Sequence, residues 1–72
     1  MKITIGIPAY NEESHIAGII TKLKKVTDSI IVCDDGSSDM TADISRNLGA
    51  IVIKHDKNRG YGAAINTIFQ KA

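Results

Sequence analysis

The chain has 72 residues, with 9 Lys plus Arg against 8 Asp plus Glu, a net charge of +1, 43% hydrophobic and 4% aromatic residues. That is one globular unit, without the length for a second domain or the basic excess of a protein that binds nucleic acid by neutralising phosphates. A single cysteine, Cys33, excludes an internal disulfide and a zinc cage built on cysteines, and it suits a reducing compartment.

Met1-Lys2-Ile3 opens directly on a strand-like pattern, without the apolar stretch and small-residue cleavage site of a signal peptide. No apolar run is long enough to span a bilayer, so a cytoplasmic start is expected. Thirteen isoleucines against two leucines and one phenylalanine place the apolar mass in buried strands, where β-branched side chains pack well. The first strand is predicted over Lys2 to Ile7. A helix from about Glu12 to Lys25 follows, capped by Asn11, with Ile16, Ile19, Ile20 and Leu23 as its apolar stripe. Glu12 and Glu13 then stand in the first turn, where the helix dipole favours them. The second strand is predicted over Ser29 to Cys33. Its helix starts from Ser38 and stops at Gly49, with Ile44 and Leu48 inward. The third strand covers Ala50 to Lys54. The last helix starts near Gly60 to Gly62, with Ala64, Ile65, Ile68 and Phe69 inward. Strands alternating with helices imply an α/β fold of three layers (α/β/α), βαβαβα, with a parallel sheet of order 3-2-1 and right-handed crossovers.

Three polar clusters each follow the C-terminal end of a strand: Pro8-Ala9-Tyr10-Asn11-Glu12-Glu13, Asp34-Asp35-Gly36-Ser37-Ser38-Asp39 and His55-Asp56-Lys57-Asn58-Arg59-Gly60. In a parallel sheet those ends share one edge, and ligands of open α/β sheets bind in the crevice outside it. Ordinary turn and cap chemistry accounts for the same residues equally well, so residue types alone leave both readings open. A dinucleotide oxidoreductase is disfavoured, because Ile7-Pro8-Ala9-Tyr10 stands where a Gly-x-Gly-x-x-Gly would be needed. A phosphate-loop nucleotidase lacks its Gly-Lys-Ser/Thr step.

The succession strand-P-A-Y-N-E-E, strand-D-D-G-S-S-D-x-T and N-R-G-Y-G-A-A-x-N opening a helix resembles the start of the family-2 inverting glycosyltransferases of GT-A fold. The likeness covers essentially the whole chain and is greatest to the dolichyl- or polyprenyl-phosphate sugar transferases. It implies a nucleotide-sugar-binding unit over residues 1–72 that accepts a UDP- or GDP-sugar. By this resemblance Tyr10 stacks on the base, Pro8 and Ala9 line it through backbone, Glu12 bonds ribose hydroxyls, Asp35 accepts the base N3 proton, and Arg59 and Gly60 approach the diphosphate. Tyrosine is a rigid platform for a base, and carboxylates accept from hydroxyls and N–H groups. The alternatives are a Tyr10 ring packed across its loop, Glu12 facing the helix dipole, and Asp35 in an Asx-turn with Gly36.

Asp34 is expected to hold loop backbone or Ser37. Lys54 and Lys57 read as a solvated loop, His55 as an ordinary loop residue, His15 as surface and Cys33 as buried and inert. Lys22, Lys24 and Lys25 suit the end of the first helix. The family's Asp-x-Asp motif, which holds Mg or Mn on the sugar diphosphate, has no counterpart here, nor has its catalytic base. No metal is therefore expected on this chain, which reads as an N-terminal fragment without catalytic residues of its own. A lipid-phosphate acceptor at the cytoplasmic membrane face belongs to what the resemblance implies for a complete enzyme. The first strand lacks a neighbour on one side, so pairing with a second copy into a homo-oligomer is expected. A non-catalytic, self-associating α/β module is the alternative function.

Overall fold

The computed structural model describes residues 3–72. The elements run β1 (Thr4–Ala9), α1 (Ile16–Leu23), β2 (Ser29–Asp34), α2 (Thr41–Asn47), β3 (Ile51–Lys54) and α3 (Tyr61–Lys71). The three strands form one parallel sheet of order β1-β2-β3, which is the expected 3-2-1 read from its other edge. Lys2, the expected start of the first strand, lies outside the described residues. At its far end β1 runs on through Pro8 and Ala9, which pair in register with Cys33 and Asp34. A proline without an N–H is tolerated there because β1 is an edge strand.

Side chains alternate across β2, so the central strand feeds two cores. Ile30 and Val32 pack with Ile16 and Ile20 of α1, Ala9 and Ala50, and with the half-buried Ile44 of α2 and Leu48 just after it. Ile31 and Cys33 pack on the opposite face with Ala64 and Ile68 of α3 and with Ile53. Helices α1 and α2 thus cover one face and α3 the other, which gives the three layers.

The helix boundaries differ from the sequence-based expectation in informative ways. Asn11 does not cap α1: it adopts φ 51°, a conformation asparagine tolerates, and residues 12–15 form a turn in which Ile16 N–H reaches Glu12 C=O at 2.8 Å. The α-helix then begins at Ile16, after His15. Likewise Ser38 does not cap α2; Asp39 does the comparable work, its carboxylate accepting the Thr41 N–H at 2.9 Å. The apolar stripes are narrower than periodicity implied. Ile19 is 41% exposed and Phe69 76%, both on helix flanks that no other described element covers.

Candidate functional site

The three strand ends deliver their loops to one rim, and hydrogen bonds tie the loops together. Backbone ladders extend past the strands: Asp35 N–H donates to Ala9 C=O at 2.8 Å, and His55 N–H to Asp34 C=O at 2.9 Å. The first and second loops are laced side chain to backbone. Asn11 N–H donates to Ser37 Oγ at 2.7 Å, Glu12 N–H to Thr41 Oγ1 at 2.9 Å and Glu13 N–H to Asp39 Oδ2 at 3.1 Å. In return Asn11 Oδ1 accepts from Ser38 N–H at 3.0 Å, and Glu13 Oε1 from Met40 N–H at 3.1 Å. Glu13 therefore faces the entry of α2 and not its own helix dipole, which corrects the sequence-based expectation. The Thr41 hydroxyl, followed by backbone N–H groups including those of Thr41 and Glu13, holds the Asp39 carboxyl below its ordinary range.

The third loop is held by Asp35. Its Oδ1 accepts from Arg59 N–H at 2.9 Å and from His55 Nδ1 at 2.8 Å, and its Oδ2 from Gly60 N–H at 2.8 Å. Asp35 is only 4% exposed. The bond from His55, reinforced by the Arg59 and Gly60 backbone, outweighs burial and keeps its carboxyl below the usual aspartate range. Gly36 makes this closure possible: it has φ 78°, and a Cβ there would run into the backbone of Lys57 and Asn58.

Beneath the loops lies a small polar interior. His55, expected to be an ordinary loop residue, is 6% exposed, with Nε2 2.9 Å from Thr67 Oγ1 and 3.6 Å from Cys33 Sγ. Nothing local in the sequence signalled this, since its partners lie 20, 12 and 22 residues away. Burial, and then the charges of Asp35 and Asp34, push the Cys33 thiol up, so it is a buried thiol, as expected. Asp34 is fully buried; its Oδ1 accepts Ser37 N–H at 3.1 Å, the expected loop-holding bond, while Oδ2 has no partner among the described residues.

Above this interior opens a cleft of about 360 Å3, lined by Pro8, Ala9, Tyr10, Glu12, Asp35, Asn58, Gly60, Tyr61 and Ala64. Six of the seven residues singled out from sequence are thus brought together. Arg59 is the exception: its side chain is exposed and does not line the cleft, and its contribution is the backbone N–H given to Asp35. Asn58 and Tyr61 stand in the wall in its place. Asn58 stands two residues before Gly60 and Tyr61 directly after it in the N-R-G-Y-G run, and membership of that run is the signal that could have found them. Tyr10 is 49% and Tyr61 73% exposed, so two aromatic rings stand at the rim above a carboxylate. Lys54 and Lys57 are exposed outside the cleft, and His15 lies on the surface beside Glu12 at 3.4 Å.

A divalent cation does not fit the residues present. No group of three His, Cys, Asp or Glu side chains that could hold a metal occurs among the described residues, and the cleft offers only Glu12 and the already committed Asp35. No helix among the described residues is long and apolar enough to cross a membrane.

Comparison with known proteins agrees with this architecture. The chain is 37% identical over 65 residues to a dolichyl-phosphate hexose transferase of Haloferax volcanii, covering 88% of this chain and 28% of the relative. It is 37% identical to a UDP-N-acetylglucosamine–dolichyl-phosphate N-acetylglucosaminyltransferase of Methanococcus voltae, covering 97% and 35%. Among solved structures, glucosyl-3-phosphoglycerate synthase of Mycobacterium tuberculosis, in complex with Mn2+, UDP-glucose and phosphoglyceric acid, superposes with a TM-score of 0.86 at 27% identity, covering 99% of this chain and 29% of that one. The chain spans about a third or less of the length of these relatives. The family model for glycosyl transferase family 2 matches residues 4–72. The chain belongs to glycosyl transferase family 2.

Proposed function

We propose that residues 1–72 are the nucleotide-binding part of a glycosyltransferase domain, and that the cleft at the strand ends receives the nucleoside diphosphate of a UDP- or GDP-sugar. The observation that carries this reading is the convergence of Tyr10, Glu12, Asp35 and Gly60 on one cleft from three separate loops. Tyr10 offers a stacking surface at the rim. Asp35 Oδ2 accepts a single bond, from Gly60, which leaves acceptor capacity for a base N–H. Glu12 supplies a carboxylate for ribose hydroxyls, and Pro8 and Ala9 form an apolar backbone wall. The start of α3 beside the cleft presents N–H groups of the kind that favour an anion, since the first intrahelical bond is that of Ala64 N–H to Gly60 C=O.

Sugar transfer itself needs a base on the acceptor and positive charge on the leaving diphosphate. No lysine or arginine side chain lines the cleft, and we assign the acceptor base and the cationic counter-charge, a divalent cation included, to parts of the complete enzyme other than these residues. A polyprenyl-phosphate acceptor at the cytoplasmic membrane face is the acceptor reading that fits the dolichyl-phosphate relatives. Isothermal titration of the chain with UDP and GDP tests the proposal. Binding that falls about tenfold or more in Tyr10→Ala, as loss of a stacked base requires, supports it; equal heats with and without the tyrosine count against it.

A second activity, self-association, is favoured by the outer edge of β1, which no other strand among the described residues pairs. That edge adjoins a groove of about 270 Å3 lined by Thr4, Gly6, Ile65, Ile68, Phe69 and Ala72, with Ile3 50% exposed beside it. A second copy offers the same edge and is self-complementary about a two-fold axis.

A further inference from the structure

His55 is a buried side chain that joins the carboxylate at the end of β2 to α3, the helix beside the cleft. Its Nδ1 lies 2.8 Å from Asp35 Oδ1. Its Nε2 lies 2.9 Å from Thr67 Oγ1, on α3, and 3.6 Å from Cys33 Sγ, on β2. An ionised carboxylate only accepts, so the Nδ1 position must carry the proton shared with Asp35. Nε2 then faces the thiol of Cys33, which can donate to it, and the oxygen of Thr67, whose one hydroxyl proton goes to Ala63 C=O at 3.0 Å. This orientation of the ring sets Nδ1 on Asp35, and packing at 6% exposure leaves it little freedom to choose another.

The consequence passes through Asp35 to the cleft. Asp35 can clasp Arg59 and Gly60 N–H at once only while its carboxylate plane is fixed, and His55 is the side chain that fixes it. Asn58, Gly60 and Tyr61, the wall so held, line the cleft opposite Pro8, Ala9 and Tyr10. We propose that His55, with a proton on Nδ1, is a positioning residue for the nucleotide cleft, holding Asp35 so that it clamps the Asn58–Tyr61 wall in its ligand-receiving position. The functional half of this inference rests on the nucleotide reading of the cleft; the clasp itself does not.

Three variants separate a positioning role from mere bulk. His55→Asn keeps an N–H donor near the Nδ1 position, His55→Gln moves it to the Nε2 position, and His55→Leu removes it. With the ring acting through Nδ1, His55→Asn binds UDP or GDP within about threefold of the unsubstituted chain, whereas His55→Gln and His55→Leu lose about tenfold or more. Amide exchange at Arg59 and Gly60 accelerates in the latter two while Val32 and Cys33 amides stay protected. Equal loss in all three, or unchanged Gly60 exchange in His55→Leu, overturns the assignment. The long-range nitrogen–proton spectrum of the unsubstituted chain tests it without any variant: a proton resident on Nδ1 is expected, and a ring lacking one refutes the clasp. A chain with that proton and a protected Gly60 amide that binds neither UDP nor GDP overturns the nucleotide reading and leaves the clasp standing.

Discussion

Asp35 Oδ2 accepts the N–H of Gly60 at 2.8 Å, across 25 residues of sequence, so the end of β2 and the entry of α3 behave as one wall of the cleft. The wall is made by backbone donors converging on a carboxylate, an arrangement that costs little once the strands have placed Asp35 at their shared edge. Its sensitivity to substitution should therefore be concentrated at Asp35 and at the glycine that lets the loops close.

Gly36→Ala tests that closure. With φ 78° and the Lys57 and Asn58 backbone where a Cβ would stand, the alanine must push the third loop away, at a conformational cost of about 1–3 kcal/mol before any clash is relieved. Chemical denaturation should show the loss. Amide shifts should move at Asn58 to Tyr61 and stay put in α1. An alanine variant as stable as the parent would contradict the described approach of the two loops.

Acid should open the same wall. Asp35 and Asp39 both have carboxyls held below their unfolded value, so the unfolded chain binds more protons over the interval between the two. Their contribution is complete above about pH 4, the ordinary aspartate range. It fades as the pH falls through their lower folded values. Circular dichroism followed from pH 7 to pH 2 should show stability falling on that limb, and Asp35→Asn should start lower at neutral pH and flatten the dependence. An acid limb unchanged in Asp35→Asn would remove the assigned role.

The lacing of the first loop onto the second depends on Thr41, which is fully buried and accepts the Glu12 N–H. Thr41→Val keeps the shape and removes the acceptor. It should cost about 1–3 kcal/mol for the donor left without a partner, read by urea denaturation, and should raise the exchange rate of the Glu12 amide. Loss of less than a few tenths of a kcal/mol would mean that water replaces the hydroxyl at no cost.

Self-association should follow from the β1 edge and the exposed Phe69. Light scattering at increasing concentration is expected to show a dimer or larger particle that Phe69→Lys shifts towards monomer. A strictly monomeric, folded chain would dispose of that reading and leave the cleft unaffected.

Much of this architecture is legible in the residues because its signals are local. The β-branched stretches read over Lys2 to Ile7, Ser29 to Cys33 and Ala50 to Lys54 mark β1 to β3, whose observed bounds are Thr4–Ala9, Ser29–Asp34 and Ile51–Lys54. Gly36, whose turn reading called for a positive φ, has φ 78°, and Gly49, read as the glycine that ends the second helix, has φ 94°. Six cleft residues followed from the family motifs together with the rule that parallel strands share one C-terminal edge. What stayed hidden is decided by distant partners. The role of His55 depends on Asp35 and Thr67, and the displaced caps at Asn11 and Ser38 arise because those residues bond each other across loops instead of their own helices. Arg59 was singled out for its charge, whereas the fold uses its backbone.

The most direct test of the nucleotide reading is a residue-resolved NMR titration of the chain with UDP and with GDP. Shifts that saturate together at Tyr10, Glu12, Asp35, Gly60 and Tyr61 are expected, with little change along the outer face of α1. Absence of perturbation at millimolar nucleotide, or shifts confined to residues away from the strand ends, would contradict it.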